Sequence, residues 1–175
     1  MIEIVAYDPG WPALFQAEAE RLAIEMIGTA LRIEHVGSTS VSGLAAKPVI
    51  DIQVSVARLH PLTSHAIGLG RLGYVHVPLQ PGDTVYPFFQ KPASWPSTHH
   101  VHLCVAGSEQ ERAHLLFRDY LRSHAEVAAE YLALKMALAA DNDGNTLKSR
   151  ERYSLSKTAF VISVLARASV EKNKP

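Results

Sequence analysis

HVGSTSVSGLAAKPVIDIQVSV, residues 35–56, joins a glycine-serine turn to the most regular strand pattern in the chain. It runs from the end of one strand through a Gly37-Ser38-Thr39-Ser40 turn and a small-residue segment to Lys47. It then enters PVIDIQVSV (48–56), where Val49, Ile50, Ile52, Val54 and Val56 are the β-branched residues of a strand. Glycine lets the backbone approach a ligand closely, and successive N–H groups flanked by hydroxyls can hold a phosphate. Ser38 and Thr39 are therefore candidate phosphate contacts, with Lys47 able to offset the charge. A strand carrying two metal-binding carboxylates would read Asp-x-Asp or Asp-x-Glu, whereas this one reads Asp51-Ile52-Gln53.

Strand side chains alternate between faces, so Val49, Asp51, Gln53 and Ser55 share one face and Ile50, Ile52, Val54 and Val56 the other. A second strand, HVHLCVA (100–106), divides the same way. His100, His102 and Cys104 fall on its polar side, and His99, Val101, Leu103 and Val105 on its apolar side. Two strands with the same split imply a sheet with helices on its apolar face and a cleft on the other. Asp51, Gln53, His100 and His102 are expected to meet in that cleft. A His-x-His pair with Asp51 can complete a three-ligand metal set, but the pair can equally contact substrate or line a polar groove. His35, before the glycine, reads as a buried hydrogen-bonding residue and His99 as a packed or edge histidine.

Outward from this centre, IEIVAY (2–7) and LRIEHV (31–36) read as strands, with a helix over 11–28 between them. Residues 58–70 read as a helix, and YVHVP (74–78) and VYPFFQK (85–91) as a hairpin turning at Pro81-Gly82-Asp83. After Gly107 the pattern becomes helical, over 108–124, 125–140 and 147–169. Ser108 and Glu111 have capping-box spacing. Arg112, Arg118 and Arg122 share one helix with Asp119 and read as a solvated face, Arg112 also being placed to offset phosphate charge. Lys135, Arg152 and Lys157 likewise read as solvated. One domain over 1–175 follows, with a sheet core in 1–107 and helices in 108–175.

Composition sets outer limits. At 175 residues and 47% hydrophobic, the chain can bury a substantial core. Seventeen basic and seventeen acidic residues cancel, which argues against a dedicated duplex nucleic-acid binder. The single Cys104 excludes an intrachain disulfide framework and a four-cysteine zinc site. No secretory pattern or membrane-length apolar run stands in the sequence, so a cytoplasmic setting without membrane contact is expected.

Trp11-Pro12, IEHVGSTSVSGLAAKPVIDIQV (33–54), HHVHLCV (99–105), HLLFRDYLRSH (114–124) and YSLSKTAF (153–160) together resemble the GrpB-like family, which is related to the nucleotidyltransferase superfamily. The resemblance spans nearly the whole chain. It implies an α/β (α+β) fold with a nucleotidyltransferase-like mixed sheet, helices on one face and a C-terminal helical segment. In the superfamily pattern a Gly-Ser turn precedes a strand with two carboxylates, and a third carboxylate lies on a later strand. Gly37 and Ser38 match the turn and Asp51 the first carboxylate; Gln53 holds the second position, and the later strand offers His100 and His102.

That set implies a nucleotide or other phosphorylated small molecule as partner and a divalent metal (Mg, Mn or Zn) at Asp51, His100 and His102. One carboxylate and an amide suit two magnesium ions poorly, and histidines suit zinc or manganese better. Three readings stay open: nucleotidyl transfer, a non-catalytic nucleotide-binding or regulatory module, and a metal-dependent hydrolase using Asp51, His100 and His102. Similar domains attached to dephospho-coenzyme A kinases imply an association with coenzyme A metabolism. If Gln53 stands in a vacant ligand position, Gln53→Glu is expected to raise magnesium affinity.

Overall fold

The computed structural model describes residues 2–78, 84–142, 144 and 146–172. Its elements run α1 (Trp11–Glu25), β1 (Ala30–Val36), a 3₁₀ turn (Ser38–Ser40), β2 (Ile50–Val56), α2 (Leu62–Arg71), β3 (Val75–His76), β4 (Phe88–Lys91) and β5 (His99–Val105). Four helices follow: α3 (Glu109–Ser123), α4 (Ala125–Ala140), α5 (Leu147–Leu155) and α6 (Thr158–Lys172).

Five strands form one mixed sheet in the order β1-β2-β5-β4-β3. β2 lies antiparallel to β1 and parallel to β5, while β4 runs antiparallel to both β5 and β3. The β2–β5 register sets Asp51 opposite His100 and Gln53 opposite His102. The pleat then holds all four side chains on one face.

The other face is the main core. Ile50, Ile52, Val54, Val101 and Leu103 pack there under Leu22 of α1, Met26 just past its end and Leu69 of α2. Removing such side chains from water stabilises the fold by about 1.5–3 kcal/mol each. α3 crosses the polar face and covers its far half, so Gln53, Ser55 and Cys104 are buried although they point away from the main core. A second cluster, with Val41, Leu44, Leu121, Val127, Tyr131 and Val164, joins the segment after the turn to α3, α4 and α6. The mixed sheet with a helical C-terminal segment is as expected, and on the half of the polar face that α3 leaves open Asp51, His100 and His102 stay partly exposed.

Several local expectations change. Residues 2–7 contribute only a bridge, Val5 to Ala46, rather than a strand. The expected hairpin turn at 81–83 lies outside the described residues. The expected helix over 147–169 is two: Ser156 Oγ donates to Arg152 O, and Lys157 N bonds back to Ser154 O. A hydroxyl bonding four residues back competes with the ladder and bends the helix. At the start of α3, Ser108 Oγ accepts from Glu111 N as expected of a cap, but Glu111 does not reciprocate. Its carboxylate turns into the sheet, accepting from Ser55 Oγ at 2.5 Å, Gly107 N at 2.6 Å and Arg32 at 2.6 Å.

Candidate functional site

Asp51 leaves β2 next to the turn that ends β1. His100 Nδ1 lies 3.0 Å from Asp51 Oδ1 and His102 Nε2 lies 3.9 Å from it. One ligand atom from each residue lies within 4.8 Å of the others. Burial would raise the Asp51 pKa, but the His100 hydrogen bond and the proximity of both histidines hold it well below the usual carboxylate range. Burial lowers His100 against the pull of Asp51. An ionised carboxylate beside a neutral imidazole is the protonation state a metal ion requires. One oxygen and two nitrogen donors fit a single zinc or manganese ion and do not fit a two-magnesium centre.

The turn is fitted to Asp51. Gly37 has φ 69° and ψ −173°, and a Cβ there would overlap the Asp51 carboxylate. From α3, Arg122 donates twice to Ser40 O, at 2.8 and 3.0 Å, and Arg118 donates to His35 O at 3.0 Å. Two helical arginines thus grip carbonyls on both sides of the turn. Thr39, expected at phosphate, points inward: its hydroxyl donates to Val49 O and meets His35 Nε2 at 3.0 Å. His35 is buried as expected, and Phe15 stacks on its ring.

Ser38 faces a cluster of cations. Lys135 of α4 is 2% exposed and donates to Ser38 Oγ at 3.1 Å and Ala45 O at 2.6 Å. Lys47 lies 5.1 Å above the Tyr153 ring, with Lys157 at 4.3 Å from the same ring. Trp95 sits beside them, 5.9 Å from Lys47 and 4.4 Å from Arg150. Burial, then the charge of Lys47, lowers Lys135 to about 8 and Lys157 to about 7; Asp51 opposes both shifts. Lys135 and Lys157, read from sequence as solvated, are therefore the site residues that reading missed. A signal was available: Lys135 stands alone in LALKMALAA, where an amphipathic helix would carry further polar residues. Arg112 is not brought to this group. It is exposed and donates to Gly107 O, past the opposite end of β5.

Gln53 is fully buried. Its Nε2 faces Glu111 O at 3.5 Å, and its Oε1 lies 3.1 Å from His114 Nδ1. The same His114 nitrogen meets the Tyr86 hydroxyl. The Tyr86 ring stacks on His102, with centroids 4.8 Å apart and planes 16° apart.

A family model described as GrpB protein matches residues 1–167. A UPF0157 protein of Pseudomonas aeruginosa is 39% identical over 99% of this chain and 70% of its own length. A Bacillus subtilis UPF0157 protein is 37% identical over 81% of the chain. A dephospho-CoA kinase of Mycolicibacterium paratuberculosis is 34% identical over 82% of it. The chain spans only 40% and 41% of those last two relatives. Among solved structures, conserved protein GrpB from Enterococcus faecalis superimposes with a TM-score of 0.82 at 31% identity, covering 98% of this chain and all of that one. The Cid1 poly(U) polymerase with Mg and 3'-dATP bound gives a TM-score of 0.53 at 17% identity, over 82% of this chain and 45% of that one. That likeness identifies the fold as nucleotidyltransferase-like.

Proposed function

The chain belongs to the GrpB family, and from that premise we propose that it binds a nucleotide or other phosphate ester in its nucleotidyltransferase-like cleft. In this reading Ser38, Lys47, Lys135 and Lys157 receive the phosphates, and Asp51, His100 and His102 hold one divalent ion. The observation that carries it is the gathering of three lysines: Lys135 donates to Ser38 Oγ, Lys47 and Lys157 lie over the neighbouring Tyr153 ring, and all three have depressed pKa values. A buried ammonium held among half-buried cations calls for an anion of matching charge. A bound ion would polarise a phosphoryl oxygen. The protein's own part is to fix the phosphates and exclude water around them. The setting in this reading is cytosolic.

Thermal shifts against nucleoside mono-, di- and triphosphates, coenzyme A and dephospho-coenzyme A, each with and without Mg, Mn or Zn, test it. The similarity to part of a dephospho-CoA kinase brings the coenzymes into that panel. Stabilisation should grow with phosphate number, reaching about 2.7 kcal/mol at a hundredfold excess over Kd. It should fall away in Lys135→Met. Equal stabilisation by an unphosphorylated nucleoside, or none by any phosphate ester, would overturn the reading.

A second reading is a binding module without turnover. What favours it is that Asp51 is the one carboxylate of the group and Gln53 is sealed from the cleft. Pyrophosphate release during incubation with a triphosphate separates transfer from mere binding, and inorganic phosphate release marks the hydrolase.

A further inference from the structure

We infer that Gln53 is a positioning residue for His102, acting through His114 and Tyr86, rather than a lost metal ligand. The inference rests on the reading of Asp51, His100 and His102 as a metal group. A metal-binding histidine usually fixes its ring by donating the second N–H to a carboxylate, a carbonyl or water. His102 has no such support: its Nδ1 is buried and without a hydrogen-bond partner among the described residues. Stacking must therefore set its ring angle. Tyr86 lies nearly parallel to the imidazole, while Phe88 is tilted by 41° against it. Tyr86 in turn is tied by its hydroxyl to His114 Nδ1, and Gln53 Oε1 faces the same atom. Gln53 is fully buried and rooted on Glu111 O. A glutamine meets both demands, since its amide N–H can donate to a carbonyl while its oxygen faces the imidazole. A carboxylate at 53 would lack the donor and face Glu111 O with a charge.

Two measurements test this, one of them independent of metal. In metal-free protein with ¹⁵N-labelled histidine, the His102 ring protons should be shifted upfield by the stacked Tyr86 ring. In Gln53→Leu that shift should collapse while the His100 signals, set by Phe88 and Asp51, stay in place. Tyr86→Phe cuts the same chain outside the core and should move the His102 signals the same way, which keeps the test alive if Gln53→Leu does not fold. Zinc affinity by calorimetry should drop at least about tenfold in either variant. Unchanged His102 signals in a folded Gln53→Leu or Tyr86→Phe protein would overturn the inference. Wild-type protein that binds no zinc, cobalt or manganese would overturn the metal reading instead, and the ring signals would still report on the positioning chain.

Discussion

Gly37 occupies a corner of backbone space closed to residues with a Cβ, and forcing one into it costs about 1–3 kcal/mol. The Asp51 carboxylate fills the space a side chain would need. Gly37→Ala should therefore lower stability by about 2 kcal/mol and, because it displaces Asp51, remove metal-induced stabilisation altogether. Denaturant titration with and without zinc reads both effects, and a destabilised variant that keeps its full zinc response would count against the fit between turn and carboxylate. Lys157 makes a second residue-scale prediction. Its pKa is about 7 folded against an ordinary value of 10.5, so between these values the unfolded chain carries a proton that the folded chain lacks. Stability should rise with pH across that window, and below pH 7 the burial penalty is fully present. A polyanion drawn in among the lysines should return the missing proton. Calorimetry of triphosphate binding at pH 8 in Tris and in HEPES should report uptake approaching about one proton per ligand, vanishing near pH 6. Buffer-independent heats at pH 8 would contradict the pairing of ligand with buried lysine.

α3 is the element that makes the site. Its first turn seals Gln53 and Ser55 under Glu111, and its last turns hold the turn carbonyls through Arg118 and Arg122. Arg122→Ala should cost about 1 kcal/mol, since a charged donor is lost from a half-exposed position. Its clearer signature should be faster amide exchange at residues 37–41 with β2 still protected. Uniform exchange across the sheet would assign Arg122 a global role instead. This helix also marks where reading the sequence stops working. The strands were legible because Ile50-Asp51-Ile52 and His100-Val101-His102 alternate strictly, and alternation alone put Asp51, His100 and His102 on one face. It also assigned Gln53 to that face, correctly, but alternation carries no record of what covers a face. Gln53→Glu accordingly changes meaning. Gln53 is fully buried, so the variant should bury an unpaired carboxylate and destabilise the protein rather than gather magnesium. Lys135 and Lys157 were illegible as a pair, because their meeting depends on how α4 and the junction between α5 and α6 pack against the turn.

For the whole molecule, sheet and helices share buried surface. Val41 and Leu44 are buried by Leu121, Tyr131 and Val164, and the inner polar face of the sheet is dry only where α3 lies on it. A fragment ending at residue 107 would expose that apolar cluster and leave Gln53, Ser55 and Cys104 in water. It should lack a cooperative thermal transition and bind a hydrophobic dye. A sharp transition in that fragment would mean that the sheet folds alone. Among the described residues no helix is long and apolar enough to cross a membrane.

Lys135 reaches Ser38 across 97 residues of chain, and Asp51 reaches His100 across 49. The proposed ligand would touch the turn near the beginning, the sheet in the middle and Lys157 at the junction of α5 and α6 near the end, so it acts as a clasp on the whole length. Its simplest trace should be resistance to digestion. Nicking at α5 and α6, which join the rest of the fold through Tyr153, Val164 and Ala168, should slow when the clasp is closed. Cleavage in the exposed turn around Ile27, at the end of β1 and β2 remote from Asp51, should continue at its former pace.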